Sequence, residues 1–254
     1  MFYAIGDIHG YAEVLLSLLY KSVLIDHNGH WMGGDATLVF LGDFVDRGPD
    51  SIDTVGHVRR LQAEAAAAGG RVLAVMGNHD LALLLAIRHA QASLGDDETF
   101  RSFWEWIGGD PADTAMPAEH LDWIAQLPVM LRVEDTLIIH ADTLFYASYG
   151  ATIEQVNLTV TRMIRDGHLE ALAQLMRSFS QHRDFWMVPD SVEGFLKQFG
   201  ARRLLHGHTP IHKMAGRAVE SVRAPLVYAD GRCINLDGGI YFGGRGFVYR
   251  SDED

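Results

Sequence analysis

Three short apolar runs in this chain stop at the same kind of dipeptide. FYAI (2–5) ends at Gly6-Asp7, ATLVFL (36–41) at Gly42-Asp43 and VLAVM (72–76) at Gly77-Asn78. Runs of this length, bounded by turn residues, predict buried strands. Between them lie segments with helical spacing: 11–21, with Val14, Leu15, Leu18 and Leu19 on one face, then Ser51–Ala68, closed by Gly69-Gly70, then LALLLAIRHA at 81–90. TLIIHAD (136–142) and RLLHGHT (203–209) resume the strand pattern, and 217–250 reads as short strands joined by glycine turns. Such alternation predicts an α/β core, and open α/β sheets place ligands beyond the carboxyl ends of their strands.

No repeat, linker or low-complexity tract divides the 254 residues, so one domain over 1–254 is expected. Two stretches, 95–126 and 150–200, read as mainly helical. The first carries Trp104, Trp106 and Trp123 with weak periodicity. It either packs aromatics onto the core or forms a cap lining one wall of a pocket. A net charge of −12 and a pI near 5.4 argue against nucleic acid or an anionic membrane as partner. Cys233 is the single cysteine, so no internal disulfide can form. The start, FYAIGD, has neither a basic region nor a long apolar core, and LALLLAI (81–87) falls far short of the roughly 20 residues of a membrane span. A cytoplasmic protein is expected.

The polar residues at the strand ends form a set. Asp7 and His9 come after the first strand, Asp43, Asp46 and Arg47 after the second, and Asn78, His79 and Asp80 after the third, while His140, His206 and His208 come from the later ones. Each piece alone has an ordinary reading: a Gly-Asp turn, a core histidine, an Asn-capped helix start. Together they bring carboxylates, imidazoles and an amide oxygen to one sheet edge. That mixture suits manganese, iron or zinc better than calcium, and the number of donors is sufficient for two ions.

The series GDIHG (6–10), GDFVDRG (42–48), GNHD (77–80), HAD (140–142) and GHT (207–209) resembles the calcineurin-like metallophosphoesterases. The second Asp and the Arg of GDFVDRG resemble the phosphoprotein-phosphatase branch, and the later layout its bacterial, Shewanella-like type. The resemblance implies a sandwich of two mixed β-sheets flanked by helices. It further implies two divalent metal ions, manganese first, held by Asp7, His9, Asp43, Asn78, His140 and His208, with Asp43 bridging. A metal-bridging hydroxide would attack a phosphomonoester in line. Arg47 would hold the phosphoryl oxygens with Asn78 and His79, His79 would protonate the leaving group, and Asp46 would orient His79. His206 competes with His208 for one ligand place, and the GHT pattern selects His208.

Substrate is less well marked. Met76 stands where the branch's eukaryotic protein phosphatases have Arg, and Ala141-Asp142 replaces their Gly-Gly, leaving Asp142 to repel a substrate, bind a cation or point away. Arg183, Arg245 and Tyr241 are candidates for a further phosphate contact. A phosphorylated protein (serine or threonine, with tyrosine also admitted) is the first expectation, a dinucleoside polyphosphate or other small phosphate ester the second. A metal-binding scaffold without turnover is the reading from another class.

Overall fold

The computed structural model describes residues 1–95 and 98–252. Residues 96 and 97, inside the predicted 95–126 segment, and 253 and 254, at the end of the predicted domain, lie outside the described residues. Three strands and three helices alternate first: β1 (Tyr3–Ile5), α1 (Ala12–Lys21), β2 (Thr37–Phe40), α2 (Ser51–Ala67), β3 (Arg71–Ala74) and α3 (Asn78–Arg88). A small hairpin, β4 (Ser93–Gly95) and β5 (Glu98–Thr99), leads into α4 (Phe100–Trp106) and α5 (Ala118–Gln126). Then come β6 (Met130–Val133) and β7 (Thr136–Ile139), the helices α6 (Ile153–Asp166), α7 (Leu169–Phe179), α8 (Asp184–Met187) and α9 (Ser191–Gln198), and β8 (Arg203–His206). The short α10 (Ile211–Met214) and strands β9 (Leu226–Tyr228), β10 (Cys233–Asn235) and β11 (Tyr249–Arg250) complete the chain.

The strands form two mixed sheets. One has the order β11-β1-β2-β3, with β1, β2 and β3 parallel and β11 antiparallel at the edge. The other has the order β6-β7-β8-β10-β9, parallel in the middle and antiparallel at both edges. Alternate residues explain the stacking. Val39, Ile138, Leu205 and Ile234 join Phe2, Ala4 and Leu236 in one cluster between the sheets. Their neighbours Leu38, Phe40, Leu137, Ile139, Leu204 and Cys233 face outward into a larger core under the helices. Strands covered on both faces read as unbroken apolar runs, which is why β2 and β7 were visible in the sequence.

Three features depart from the expected pattern. α3 begins at Asn78, not 81, so the GNHD residues occupy a helical first turn and not a strand end. The 95–126 stretch carries β5 ahead of α4 and α5 and splits its tryptophans: Trp104 is fully buried while Trp106 is 77% exposed. The short strand β6 had no separate signal before its hairpin with β7. Among the described residues no helix is long and apolar enough to cross a membrane.

Ile138 is fully buried in the intersheet layer, so Ile138→Ala is expected to destabilise the fold by about 2–5 kcal/mol through lost burial and a cavity. Chemical denaturation of the two proteins measures the difference; a loss under about 1 kcal/mol would show that the sheets do not depend on this layer.

Candidate metal centre and substrate groove

The carboxyl ends of β1, β2, β7 and β8 and the first turn of α3 meet at one edge of the sandwich. Close approach there requires glycine. A Cβ on Gly77 would strike the Asp43 carboxylate, and one on Gly207 would strike Asp7. The chain also turns sharply to present its side chains: His9, Asp43, Asp46, Arg47 and His208 have φ between 51° and 69°. For residues other than glycine this left-handed region costs about 1–2 kcal/mol each.

Asp80 holds that geometry. Its Oδ2 accepts from the amides of Asp43 (2.9 Å) and Gly77 (2.8 Å), and its Oδ1 from the amide of Phe44 (2.9 Å). One buried carboxylate therefore ties the end of β2 to the start of α3. The His79 amide in turn donates to Asp43 Oδ1 at 2.9 Å.

Two groups of donors lie side by side with Asp43 in both. In one, Asp43 is joined by His140 and His208. His140 Nδ1 is engaged by the Leu41 carbonyl at 2.8 Å, which turns Nε2 toward the Asn78 amide oxygen (2.9 Å), His208 Nδ1 (3.1 Å) and Asp43 Oδ2 (3.4 Å). In the other, Asp43 is joined by His9 and His79. His9 Nδ1 is engaged by the Val45 carbonyl, and its Nε2 lies 3.5 Å from Asp43 Oδ2 and 3.9 Å from Asp7 Oδ2. Backbone carbonyls fix the outer ring nitrogens, so the inner lone pairs converge with the carboxylates. Converging acceptors of this kind fit divalent cations.

Charge balance points the same way. Burial alone would lower His140, but the Asp43 carboxylate raises it to about 10, a proton standing in for a cation. Burial opposes ionisation of Asp43, yet His140 and its other imidazoles hold it well below the usual range. Burial and the nearby Asp237 raise Asp7. Asp237 itself is raised to about 6 by burial and Asp43, and nothing in its local sequence set it apart.

Beside the donors stands a dyad of His79 and Asp46. His79 Nδ1 lies 2.6 Å from Asp46 Oδ2, both fully buried, leaving Nε2 as the free ring nitrogen. Burial raises Asp46 to about 9 and lowers His79 to about 3, so the pair is net neutral. Arg47 Nη1 donates to His9 Nε2 at 2.8 Å, and its guanidinium carbon sits 5.0 Å from the centre of the Tyr241 ring.

A groove of about 540 Å³ opens over these residues. Arg47, Asn78, His79 and His208 form its floor, Phe103, Trp106 and Ile107 one wall, and Tyr241 and Phe242 another. Lys213 and His182 supply further cationic or hydrogen-bonding groups, with Lys213 Nζ 4.1 Å from the centre of the Phe242 ring. Arg183 and Arg245 are exposed and are absent from its described lining, whereas Tyr241 is present. Asp142 points away: its Oδ1 accepts the Arg183 amide (2.7 Å) and its Oδ2 the Tyr228 hydroxyl (2.8 Å). His206 is buried on the same side, with Nε2 2.8 Å from that hydroxyl, so His208 rather than His206 joins the donor cluster. A groove of about 600 Å³ beside β6 holds none of these groups.

The family model for calcineurin-like phosphoesterases matches residues 1–212. The chain belongs to the calcineurin-like phosphoesterase family. It is similar to Shewanella-like protein phosphatase 2 of Arabidopsis thaliana, 37% identical over 78 residues, or 31% of this chain and 20% of that protein. It is also similar to the symmetrical bis(5'-nucleosyl)-tetraphosphatase of Ralstonia nicotianae, 32% identical over 166 residues, 65% of this chain and 50% of that protein. These matches span half or less of each relative. Among solved structures, the cold-active protein-tyrosine phosphatase of a psychrophilic Shewanella superposes with a TM-score of 0.74 at 22% identity, over 97% of this chain and 73% of that one. At that identity the likeness concerns the calcineurin-like phosphoesterase fold.

The buried charges make a sign-definite prediction for the metal-free protein. Groups with raised folded pKa values bind more protons folded than unfolded, so stability falls as pH rises toward those values. His140 acts between 6.5 and about 10, and Asp46 up to about 9. Melting temperature in a chelator is therefore expected to fall from pH 6.5 to 9, and to fall much less with excess Mn²⁺. Parallel curves with and without metal would contradict this account of the cluster.

Proposed function

We propose that the protein is a two-metal phosphomonoesterase, with Asp43 shared between the ions. The observation that carries the reading is the convergence of Asp43, Asn78, His140 and His208 lone pairs beside those of Asp7 and His9, with a buried His79–Asp46 dyad and Arg47 at the rim. The ions, manganese first and iron or zinc compatible, would polarise the phosphate and supply a nucleophilic oxygen at neutral pH. Arg47 leaves His9 to grip two phosphoryl oxygens, a task that suits a planar guanidinium. Asn78 and His79 sit beside it on the groove floor. His79 gives the proton on Nε2 to the leaving oxygen while Asp46 fixes the ring through Nδ1. His79 falls in one donor group, but it also lines the groove, and Asp7 offers a carboxylate 3.9 Å from His9 Nε2 for the same place. These features favour His79 as acid over His79 as ligand.

The favoured substrate is a phosphorylated side chain on a protein, because the groove is open on its outer side and Asp142, buried behind Tyr228, adds no charge to it. Similarity to a Shewanella-like protein phosphatase supports this class. A second reading, a dinucleoside polyphosphate, is favoured by the exposed Trp106 facing the pocket with Phe103, Tyr241 and Phe242, since aromatic faces stack bases. Similarity to a bis(5'-nucleosyl)-tetraphosphatase supports that alternative. A metal-binding scaffold without turnover has no use for Arg47 and the His79–Asp46 dyad, and these speak against it.

Metal-dependent hydrolysis of p-nitrophenyl phosphate tests the reading. Asp43→Asn is expected to lower kcat/KM by at least about 10²-fold with both metal groups disturbed, and His79→Asn by about 10²–10⁴-fold with metal content intact. Wild-type turnover no higher than that of Asp43→Asn would overturn the enzyme reading, and loss of metal from His79→Asn would make His79 a ligand. A phosphopeptide panel run beside diadenosine tetraphosphate decides the substrate, a strong preference for the dinucleotide favouring the second reading.

A further inference from the structure

Trp104 lies 58 positions from Asp46 in the chain and touches neither the groove nor the donor clusters, yet its indole is aimed at the dyad. The Nε1–H is shared between Asp46 Oδ1 (2.9 Å) and Oδ2 (3.0 Å), and both side chains are wholly buried. Arg101 lies 5.0 Å from the centre of the indole, and Gly109 closes on it so tightly that any Cβ there would collide with the ring. The Asp46 amide is fixed as well, by Ser51 Oγ (3.0 Å) and Asp113 Oδ2 (3.1 Å), which are themselves bonded at 2.6 Å. Asp46 thus has its amide held by Ser51 of α2 and by Asp113, its carbonyl by the Gly48 amide (2.8 Å), and its carboxylate by Trp104 of α4 and by His79.

We infer that Trp104 is a positioning residue for proton delivery: its indole N–H orients the Asp46 carboxylate, which in turn holds His79 for the leaving group. A buried carboxyl group held at one oxygen can rotate, whereas a donor spanning both oxygens fixes its plane and keeps Oδ2 in line with Nδ1 of His79. The inference rests on His79 being the acid. In that step the bond between phosphorus and the leaving oxygen breaks as the oxygen takes the Nε2 proton. The oxygen of water forms the new bond to phosphorus, and the proton that water releases restores His79. The products are an alcohol or phenol and inorganic phosphate.

Leaving-group dependence tests this separately from stability. Substituted phenyl phosphates, from the acidic p-nitrophenol to unsubstituted phenol as leaving group, are compared for wild type, Trp104→Phe, His79→Asn and a protein with benzothienylalanine at 104. The last replaces the indole N–H by sulfur at nearly the same volume and gives the answer if Trp104→Phe does not fold. Both Trp104 variants are expected to lose about tenfold on phenyl phosphate, the effect of removing an outer hydrogen-bond partner, and clearly less on p-nitrophenyl phosphate. His79→Asn steepens the dependence further. If His79→Asn steepens it and the Trp104 variants run parallel to wild type, the Trp104 inference is overturned alone. If His79→Asn also runs parallel, the acid assignment falls and takes the inference with it.

Discussion

Asp43 is a carboxylate 1% exposed, placed where two rings of histidine lone pairs meet. A buried anion of this kind needs positive charge close by, and acceptors crowded around it repel one another unless something cationic lies between. The surrounding architecture answers that requirement. Glycines 77 and 207 let backbone approach the carboxylates, left-handed turns at five side chains aim them inward, and Asp80 holds three amides to keep the turns in place. The sandwich beneath, with buried apolar side chains packed between its sheets, supports this strained edge.

Most of the edge could be read from the chain because strands covered on both faces announce themselves as apolar runs, and the residues just after each run must sit at the sheet's carboxyl end. Asp7, Asp43, His140 and His208 were placed by that logic. Asn78 and His79 reached the same place by opening a helix, a boundary that the apolar run starting at Leu81 concealed. The features that stayed hidden depend on contacts between distant segments. Nothing in the Trp-rich stretch distinguished the buried Trp104, bonded to Asp46, from the exposed Trp106 on the groove wall. Asp142 could repel a substrate, bind a cation or point away as far as the chain showed, and the choice rests on the Tyr228 hydroxyl, 86 positions later. Arginine was the expected source of a second phosphate contact, whereas the groove offers Lys213 and His182.

These separate contributions also explain why chemistry and substrate were unequally legible. The hydrolytic machinery is local to the strand ends and fixed by what a buried carboxylate tolerates. On the proposed reading, selectivity would come from the groove residues of α4 and of the glycine-rich stretch around Tyr241, which lie outside the donor clusters. Aromatic side chains beside cationic ones suit a flat or extended phosphate ester, which could be held by stacking and charge together.

The central claim is that Asp43 lies between two cations. Anomalous diffraction from crystals grown with Mn²⁺ tests it directly. The account predicts two separate metal peaks, one beside His140, His208 and Asn78 and one beside His9 and Asp7, with the Asp43 carboxylate touching both. A single peak, or two peaks of which Asp43 touches only one, would contradict it.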